Sequence, residues 1–154
     1  MNAITVLADV RWVPHSRWAT QFNKDRLNKT LAENGIACAY LGKELGGHAK
    51  DPSLLTNGKP DYAAMARTDT FREGIARVLD GAKTCRIAPM CAERDPIDCH
   101  RFLLIARHLA ARDIPVAHIL ANGEIEEHEK TERCYRGSDG TGDLFAAVKK
   151  GDPV

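Results

Sequence analysis

Four short apolar runs that alternate with helical patterns constrain the fold of this chain more than any other feature. The runs span residues 4–10, 36–41, 86–91 and 114–120. The first run is rich in β-branched residues, which is typical of a strand buried on both faces of a parallel sheet. Apolar residues recur at helical spacing over residues 25–34, 60–81 and 96–112. We therefore predict right-handed βαβ units and an α/β fold, with a mainly parallel sheet flanked by helices in a Rossmann-like three-layer arrangement.

We predict that the whole chain, residues 1–154, forms a single domain. A chain of this length buries roughly 68 to 70% of its unfolded surface, which is enough for a core without disulfide bonds. We predict that the core spans about 4–133 and that residues 134–154 form a tail. Within the core we expect a loop at 50–59, a break in the long helix at 67–70 and a solvated helix at 124–133. Within the tail we expect a turn at 137–142 and a short helix at 144–148.

Charge and hydropathy exclude several classes of protein. The chain has 22 Lys and Arg residues and 21 Asp and Glu residues, for a net charge of +1. It therefore lacks the overall basic field that non-specific nucleic-acid binding usually needs, and any recognition of an anion must be local. The apolar runs are too short to span a membrane, and the first residues do not resemble a signal peptide. We expect a cytoplasmic protein without membrane contact.

The cysteines favour reduced thiols over a disulfide framework. Five cysteines are an odd number, and their spacing is irregular. No CxxC pair occurs, and the interval from Cys91 to Cys99 exceeds the spacing of a zinc knuckle. We therefore expect no metal and no cofactor, although Cys91, Cys99 and His100 could together hold one ion.

The densest polar segment, residues 91–101, joins the third apolar run to the helical pattern that follows. Asp95 suits the N-cap of that helix and Pro96 its first position, which places Cys99 within about the first two turns. Free N–H groups at a helix N-terminus attract anions and favour a thiolate over a thiol. A second polar segment, residues 9–18, follows the first run. Because the carboxyl ends of adjacent parallel strands meet at one edge of a sheet, we expect the two segments to form one site.

The catalytic residues that we predict are Cys99, Cys91, His100, Glu93 and Asp9. Either cysteine could attack a substrate as a thiolate, and either could instead be a small buried side chain. Histidine titrates near neutrality, so His100 suits proton transfer, and a structural histidine is an equally good interpretation. The two carboxylates could move protons or simply orient arginines.

The ligand-binding residues that we predict are Arg11, Arg17, Ser16, Arg101, Trp12, Gly46 and Gly47. Guanidinium groups bind phosphate or carboxylate in bidentate fashion, unless they pair with nearby carboxylates of the chain. Trp12 and Trp18 could stack a nucleobase or cover the core as a lid. Ser16 is more typical of a loop hydrogen bond than of a nucleophile. The glycine pair lacks a phosphate-binding fingerprint and indicates a tight turn.

Several of these residues recur together in a known family. The motifs are Asp9-Val10-Arg11, Pro14, Ser16-Arg17, Phe22, the Glu44-Leu45-Gly46-Gly47 turn, and Cys91 through Glu93, Asp95-Pro96 and Cys99-His100-Arg101. With them, over roughly residues 4–130, the chain resembles the DUF488 family, bacterial and archaeal proteins of unknown function. The resemblance implies a compact α/β fold and supplies no reaction. Relatives usually begin with an additional strand, carrying a Thr-Ile-Gly-His-Ser-like sequence, and a helix, whereas this chain begins almost directly at the Asp-Val-Arg strand.

Two functions fit these residues. The first is an enzyme that binds a phosphate- or carboxylate-bearing small molecule or nucleotide at the carboxyl edge of the sheet, with a cysteine nucleophile. The second is a non-catalytic module that binds a nucleotide or nucleic acid in the same pocket. A sheet edge left exposed by the short N-terminus would also favour a homodimer.

Overall fold

The computed structural model describes residues 3–139, with side chains through residue 136. The chain forms two compact units, which we describe separately; the single domain stays a prediction. The first unit contains the residues up to His48 together with Thr68–Ala92, and the second contains Ala49–Arg67 together with the residues from Glu93 onward. The tail helix predicted at 144–148 lies outside the described residues. Among the helices of residues 3–139, none is long and apolar enough to cross a membrane.

The elements of both units confirm a mixed α/β class. In chain order they are β1 (Val6–Asp9), α1 (Lys24–Glu33), β2 (Ala37–Tyr40), α2 (Gly42–Leu45), β3 (Leu55–Thr56), β4 (Lys59–Pro60), α3 (Tyr62–Met65), α4 (Asp69–Ala82), β5 (Ile87–Met90), a π-helical segment (Arg101–Ala106) that continues as α5 (Arg107–Ala110), β6 (Ala117–Ile119), β7 (Ile125–Glu127) and α6 (His128–Asp139). The Rossmann-like three-layer arrangement stays a prediction.

The first unit is built on a parallel sheet with the strand order β2-β1-β5. Val6 of β1 pairs with Ala37 on one side and with Ile87 on the other. The three strands lie inside the first three apolar runs, so this part of the predicted sheet is confirmed. Helix α1 ends at Glu33, and Gly35, just after the C-cap residue Asn34, has a φ of 70° that permits the chain to turn toward β2.

The outer edge strand β5 contains a proline. Pro89 lies opposite Ala8 in the register of β1 and β5. The carbonyl of Met90 accepts a hydrogen bond from Val10 N at 3.0 Å, so Met90 faces β1. Because alternate residues of a strand direct their backbone groups to opposite sides, the ring nitrogen of Pro89 lies on the side away from β1.

The fourth apolar run does not join the parallel sheet, which corrects the prediction. It forms β6, which pairs antiparallel with β7 in a two-stranded sheet of the second unit. The connection turns at Gly123, whose φ is 85°, and Leu120 N donates to Glu124 O at 2.8 Å. The helix predicted at 124–133 therefore begins only at His128, after β7. It continues to Asp139, through the first half of the turn predicted at 137–142.

One further segment differs from the prediction, and another confirms the predicted break in the long helix. The expected loop at 50–59 contains a hairpin of β3 and β4, with Asn57 and Gly58 at its tip. Both residues have positive φ, at 52° and 75°, as a type I′ turn requires. The helical pattern over 60–81 is two helices, α3 in the second unit and α4 in the first. They separate at the predicted break, where the Thr68 hydroxyl accepts a hydrogen bond from Phe71 N and caps α4.

Candidate functional site

The helix after β5 begins later than predicted. Asp95 accepts a hydrogen bond from Ile97 N at 3.0 Å, which closes a local turn in place of a helix cap. The carbonyl of Cys99 accepts from Phe102 N and Leu103 N, and the π-helical segment starts at Arg101. Cys99 therefore precedes the helix and does not lie inside its first two turns. Single π-helical turns are frequent at functional sites.

The sulfur of Cys99 is the centre of a polar cluster in the second unit. The Sγ atom donates to Oε2 of Glu93 at 3.2 Å, and Nδ1 of His100 lies 3.9 Å from the sulfur. The sulfur in turn accepts from the backbone N of Arg101 at 3.4 Å and from its Nε at 3.2 Å. Cys99 is 1% exposed and His100 is buried, whereas Glu93 is exposed. The cluster thus connects a buried thiol to the protein surface.

Arg101 also fixes the segment that carries the cluster. Its Nη2 atom donates to the backbone carbonyl of Glu93 at 2.6 Å. One guanidinium therefore contacts the sulfur of Cys99 and the backbone of Glu93, eight residues earlier in the chain. Its positive charge favours a thiolate at Cys99, whereas the carboxylate of Glu93 favours a thiol and can accept its proton.

In the first unit, Asp9 and Arg11 form a buried ion pair. Asp9 accepts from the Nε atom of Arg11 at 2.8 Å and from Nη2 at 2.6 Å. The Nη2 atom also donates to the carbonyl of Phe22 at 2.9 Å. Hydrogen bonding to Asp9 raises the pKa of Arg11, although burial opposes this effect. The structure therefore supports the ion-pair alternative for Arg11, and the catalytic role of Asp9 and the ligand-binding role of Arg11 stay predictions.

The loop after β1 presents one tryptophan to solvent. Trp18 is 86% exposed, and the guanidinium of Arg17 lies 5.1 Å from the centre of its ring. This exposure is inconsistent with a lid over the core. Ser16 Oγ accepts from the backbone N atoms of Trp18 and Ala19, which confirms its role as a loop hydrogen bonder. Trp12 instead packs beside His48, with ring centres 5.3 Å apart.

The glycine turn is explained by close packing inside the first unit. A Cβ atom on Gly46 would lie 2.3 Å from the carbonyl oxygen of Gly42. A Cβ atom on Gly42 would itself lie 2.1 Å from the carbonyl oxygen of Arg11. The sequence prediction missed Gly42, because nothing in a lone glycine indicates which backbone approaches it. The ligand-binding role of Gly46 and Gly47 stays a prediction.

The predicted site residues divide between the two units. The second unit contains Glu93, Cys99, His100 and Arg101. The side chains of the other three lie around the sulfur of Cys99. The first unit contains Asp9, Arg11, Trp12, Ser16, Arg17, Gly46, Gly47 and Cys91. Cys91 directly follows β5 and is partly buried. The expectation that the two polar segments form one site stays a prediction.

The sequence analysis did not predict the buried pair of histidines, His118 and His128. Nε2 of His118 lies 3.0 Å from Nδ1 of His128, and the Phe102 ring packs against both imidazoles. Burial, together with the nearby His128, lowers the pKa of His118 to about 4. Burial also lowers the pKa of His128. His118 lies in β6, and His128 begins α6 directly after β7. The antiparallel pairing of β6 with β7, which was not predicted, brings the two histidines together.

The family resemblance is borne out by comparison with family models. The model described as a domain of unknown function, DUF488, matches residues 1–108. This match covers both polar segments and ends in α5, short of the roughly 130 residues expected. No match was found among the curated proteins or among the solved structures. The matched residues make up more than half of the chain and include the motifs that carried the resemblance, and the chain therefore belongs to the DUF488 family.

Proposed function

We propose that this protein is an enzyme that binds a phosphate- or carboxylate-bearing small molecule or nucleotide and attacks it with the sulfur of Cys99. The observation that supports the proposal is the set of contacts at that sulfur. A carboxylate lies 3.2 Å away to accept its proton, and the Nε atom of Arg101 lies 3.2 Å away to stabilise the resulting thiolate. A nucleophile with an adjacent base and an orienting third group is the usual arrangement in covalent catalysis.

The reaction that these groups permit is a two-step transfer to water. The Cys99 proton passes to Glu93, and the thiolate forms a bond to the electrophilic carbon or phosphorus while the leaving group departs with a proton from Glu93 or His100. Water then cleaves the covalent intermediate, which releases the product and restores the thiol. We assign the guanidinium of Arg101, which lies beside the sulfur, to hold the substrate's anion.

Thiol alkylation tests this proposal without a known substrate. We expect iodoacetamide at neutral pH to modify Cys99 in the folded protein, as read by peptide mass spectrometry. Arg101→Gln should slow this modification roughly tenfold, because the thiolate loses its neighbouring positive charge. Arg94→Gln is the matched control, since Arg94 is an exposed arginine of the same segment. A Cys99 that stays unmodified until the protein unfolds would identify a structural thiol and contradict the proposal.

The exposed loop of the first unit favours a second candidate, a module that binds a nucleotide or single-stranded nucleic acid. Trp18 offers an open ring face beside Arg17, and Phe22 is 49% exposed on the same loop. An adjacent groove is lined in part by His15, Lys24, Asp25 and Arg26. Aromatic rings next to cations bind single strands by stacking on bases and pairing with phosphates.

Oligonucleotide binding tests the second candidate. We expect a short oligothymidine to quench tryptophan fluorescence, and Trp18→Ala to weaken its affinity roughly tenfold to a hundredfold through the loss of one stacked base. Val13→Ala is the control, because Val13 is 61% exposed and has no ring. Equal affinities of the Trp18→Ala variant and the unmodified protein would remove the loop from the binding surface.

A further inference from the structure

Three side chains of different chemistry converge in the second unit. Glu93, Cys99 and His100 each offer one ligand atom, and these atoms lie within 4.8 Å of one another. The sulfur of Cys99 is 3.2 Å from the carboxylate oxygen and 3.9 Å from the imidazole nitrogen. A tetrahedral zinc ion, with bonds of about 2.3 Å to sulfur and about 2.1 Å to nitrogen or oxygen, places its ligands about 3.6 Å apart. The cluster therefore has nearly the spacing of a zinc site.

The donor set also has the chemistry of such a site. Thiolate and imidazole ligands favour zinc, whereas magnesium and calcium favour oxygen ligands alone. A thiolate and a carboxylate together balance the two charges of the ion. The N–H groups of Arg101 that point at the sulfur are the kind of outer hydrogen bond that orients a metal-bound ligand. The bond from Arg101 to the Glu93 carbonyl holds the ligand segment in place before any ion binds.

We propose that Glu93, Cys99 and His100 bind a zinc ion and that the bound ion blocks the Cys99 sulfur. This inference rests on the proposed function, because it assigns a regulation to the same nucleophile. On binding, a bond forms between zinc and sulfur, and the thiol proton leaves to solvent without any change of oxidation state. The electron pair that would attack a substrate is then held by the metal. Zinc reversibly inhibits the site.

Metal binding is measured directly on the metal-free protein. We expect one zinc ion per chain by calorimetry, with proton release, and a thiolate-to-cobalt absorption band when cobalt replaces zinc. Cys99→Ser and His100→Ala should each weaken zinc binding at least about a hundredfold, since even the loss of an outer-shell partner costs up to that factor. Glu93→Gln should weaken zinc binding at least about tenfold, and because Glu93 is exposed this substitution should not disturb folding.

Two control variants keep the measurement specific. Cys134→Ser removes an exposed thiol of the same unit, and His15→Ala removes an exposed imidazole of the first unit. Neither should change the affinity for zinc. A cobalt band that survives Cys99→Ser, or a stoichiometry near zero in the folded protein, would overturn the inference.

Alkylation separates the failure of this inference from the failure of the proposed function. Saturating zinc should slow the iodoacetamide modification of Cys99 at least about tenfold, and a chelator should restore the rate. If zinc binds but Cys99 of the metal-free protein is inert, the metal site stands and the nucleophile is wrong. If Cys99 reacts at the same rate with and without zinc, the nucleophile stands and the inhibition is wrong.

Discussion

Asp9→Asn is expected to lower the free energy of unfolding by about 3 to 5 kcal/mol, because it leaves the buried guanidinium of Arg11 without a counter-charge. Asp9 is 2% exposed and Arg11 is 7% exposed, so water replaces little of the lost interaction. The neutral amide retains one carbonyl oxygen for the two contacts of the guanidinium, at 2.8 and 2.6 Å. The pair also anchors the exposed loop through Phe22, so the loop is expected to loosen as well.

Urea unfolding followed by circular dichroism measures this loss. Asp25→Asn is the matched control, because Asp25 is exposed in the first turn of α1. A double variant that adds Arg11→Met to Asp9→Asn should cost less than the sum of the two single variants, since both remove one shared interaction. An Asp9→Asn protein as stable as the unmodified chain would show that this carboxylate is not structural, and would return it to the acid–base role predicted from the sequence.

Glu132→Gln is expected to cost about 3 kcal/mol in the second unit for a related reason. The side chain of Arg107 is 3% exposed and directs its Nε and Nη2 atoms to the carboxylate of Glu132, at distances from 2.6 to 3.2 Å. Arg136 binds the same carboxylate from the next turn of α6, at 3.0 Å. The variant retains the shape of the side chain, removes its charge, and replaces one of the two acceptor oxygens by an NH2 group. Glu129→Gln, at an exposed position of the same helix, is the control.

The effect of Glu132→Gln depends on pH in a defined direction. Burial raises the pKa of Glu132, but the hydrogen bonds and charges of Arg107 and Arg136 outweigh it, so its pKa lies below the ordinary 4.5. A carboxylate whose pKa is lowered by folding stabilises the protein above its unfolded pKa and loses this contribution as the pH falls through the folded pKa. The difference in unfolding free energy between variant and unmodified chain should therefore be constant near neutrality and shrink below about pH 4.5. A difference that grows in acid would contradict the ion pair.

The three strands of the parallel sheet, β1, β2 and β5, could be predicted from the sequence because their apolar runs are nearly continuous. The fourth run, in β6, contains His118 between two exposed residues, an alternation that suits a strand of an antiparallel pair better than a central parallel strand. The Asn122-Gly123 turn that folds it back on β7 is itself a hairpin signal. The charged residues that follow this turn are typical of a solvated helix, so composition does not indicate β7.

The candidate site was predictable in its residues but not in its geometry. The segment from Glu93 to Arg101 was identified by composition, yet its helix begins later, because Asp95 bonds to Ile97 N and closes a turn first. The pairing of Asp9 with Arg11 agrees with the alternative in which the arginines of the two polar segments pair with nearby carboxylates of the chain. The contact between His118 and His128 depends on the β6–β7 pairing, for which the Asn122-Gly123 turn is the local signal in the sequence.

Pro89 bears on how two copies of this chain could associate. A strand added beyond β5 would meet a position without an N–H donor, so the new ladder would lack a hydrogen bond there. Of the two outer strands of the described parallel sheet, β2 contains no proline and offers the full set of backbone donors. If the homodimer expected from the sequence forms by joining sheets, its twofold axis should therefore pass beside β2, with the sheets continuous from one protomer to its partner.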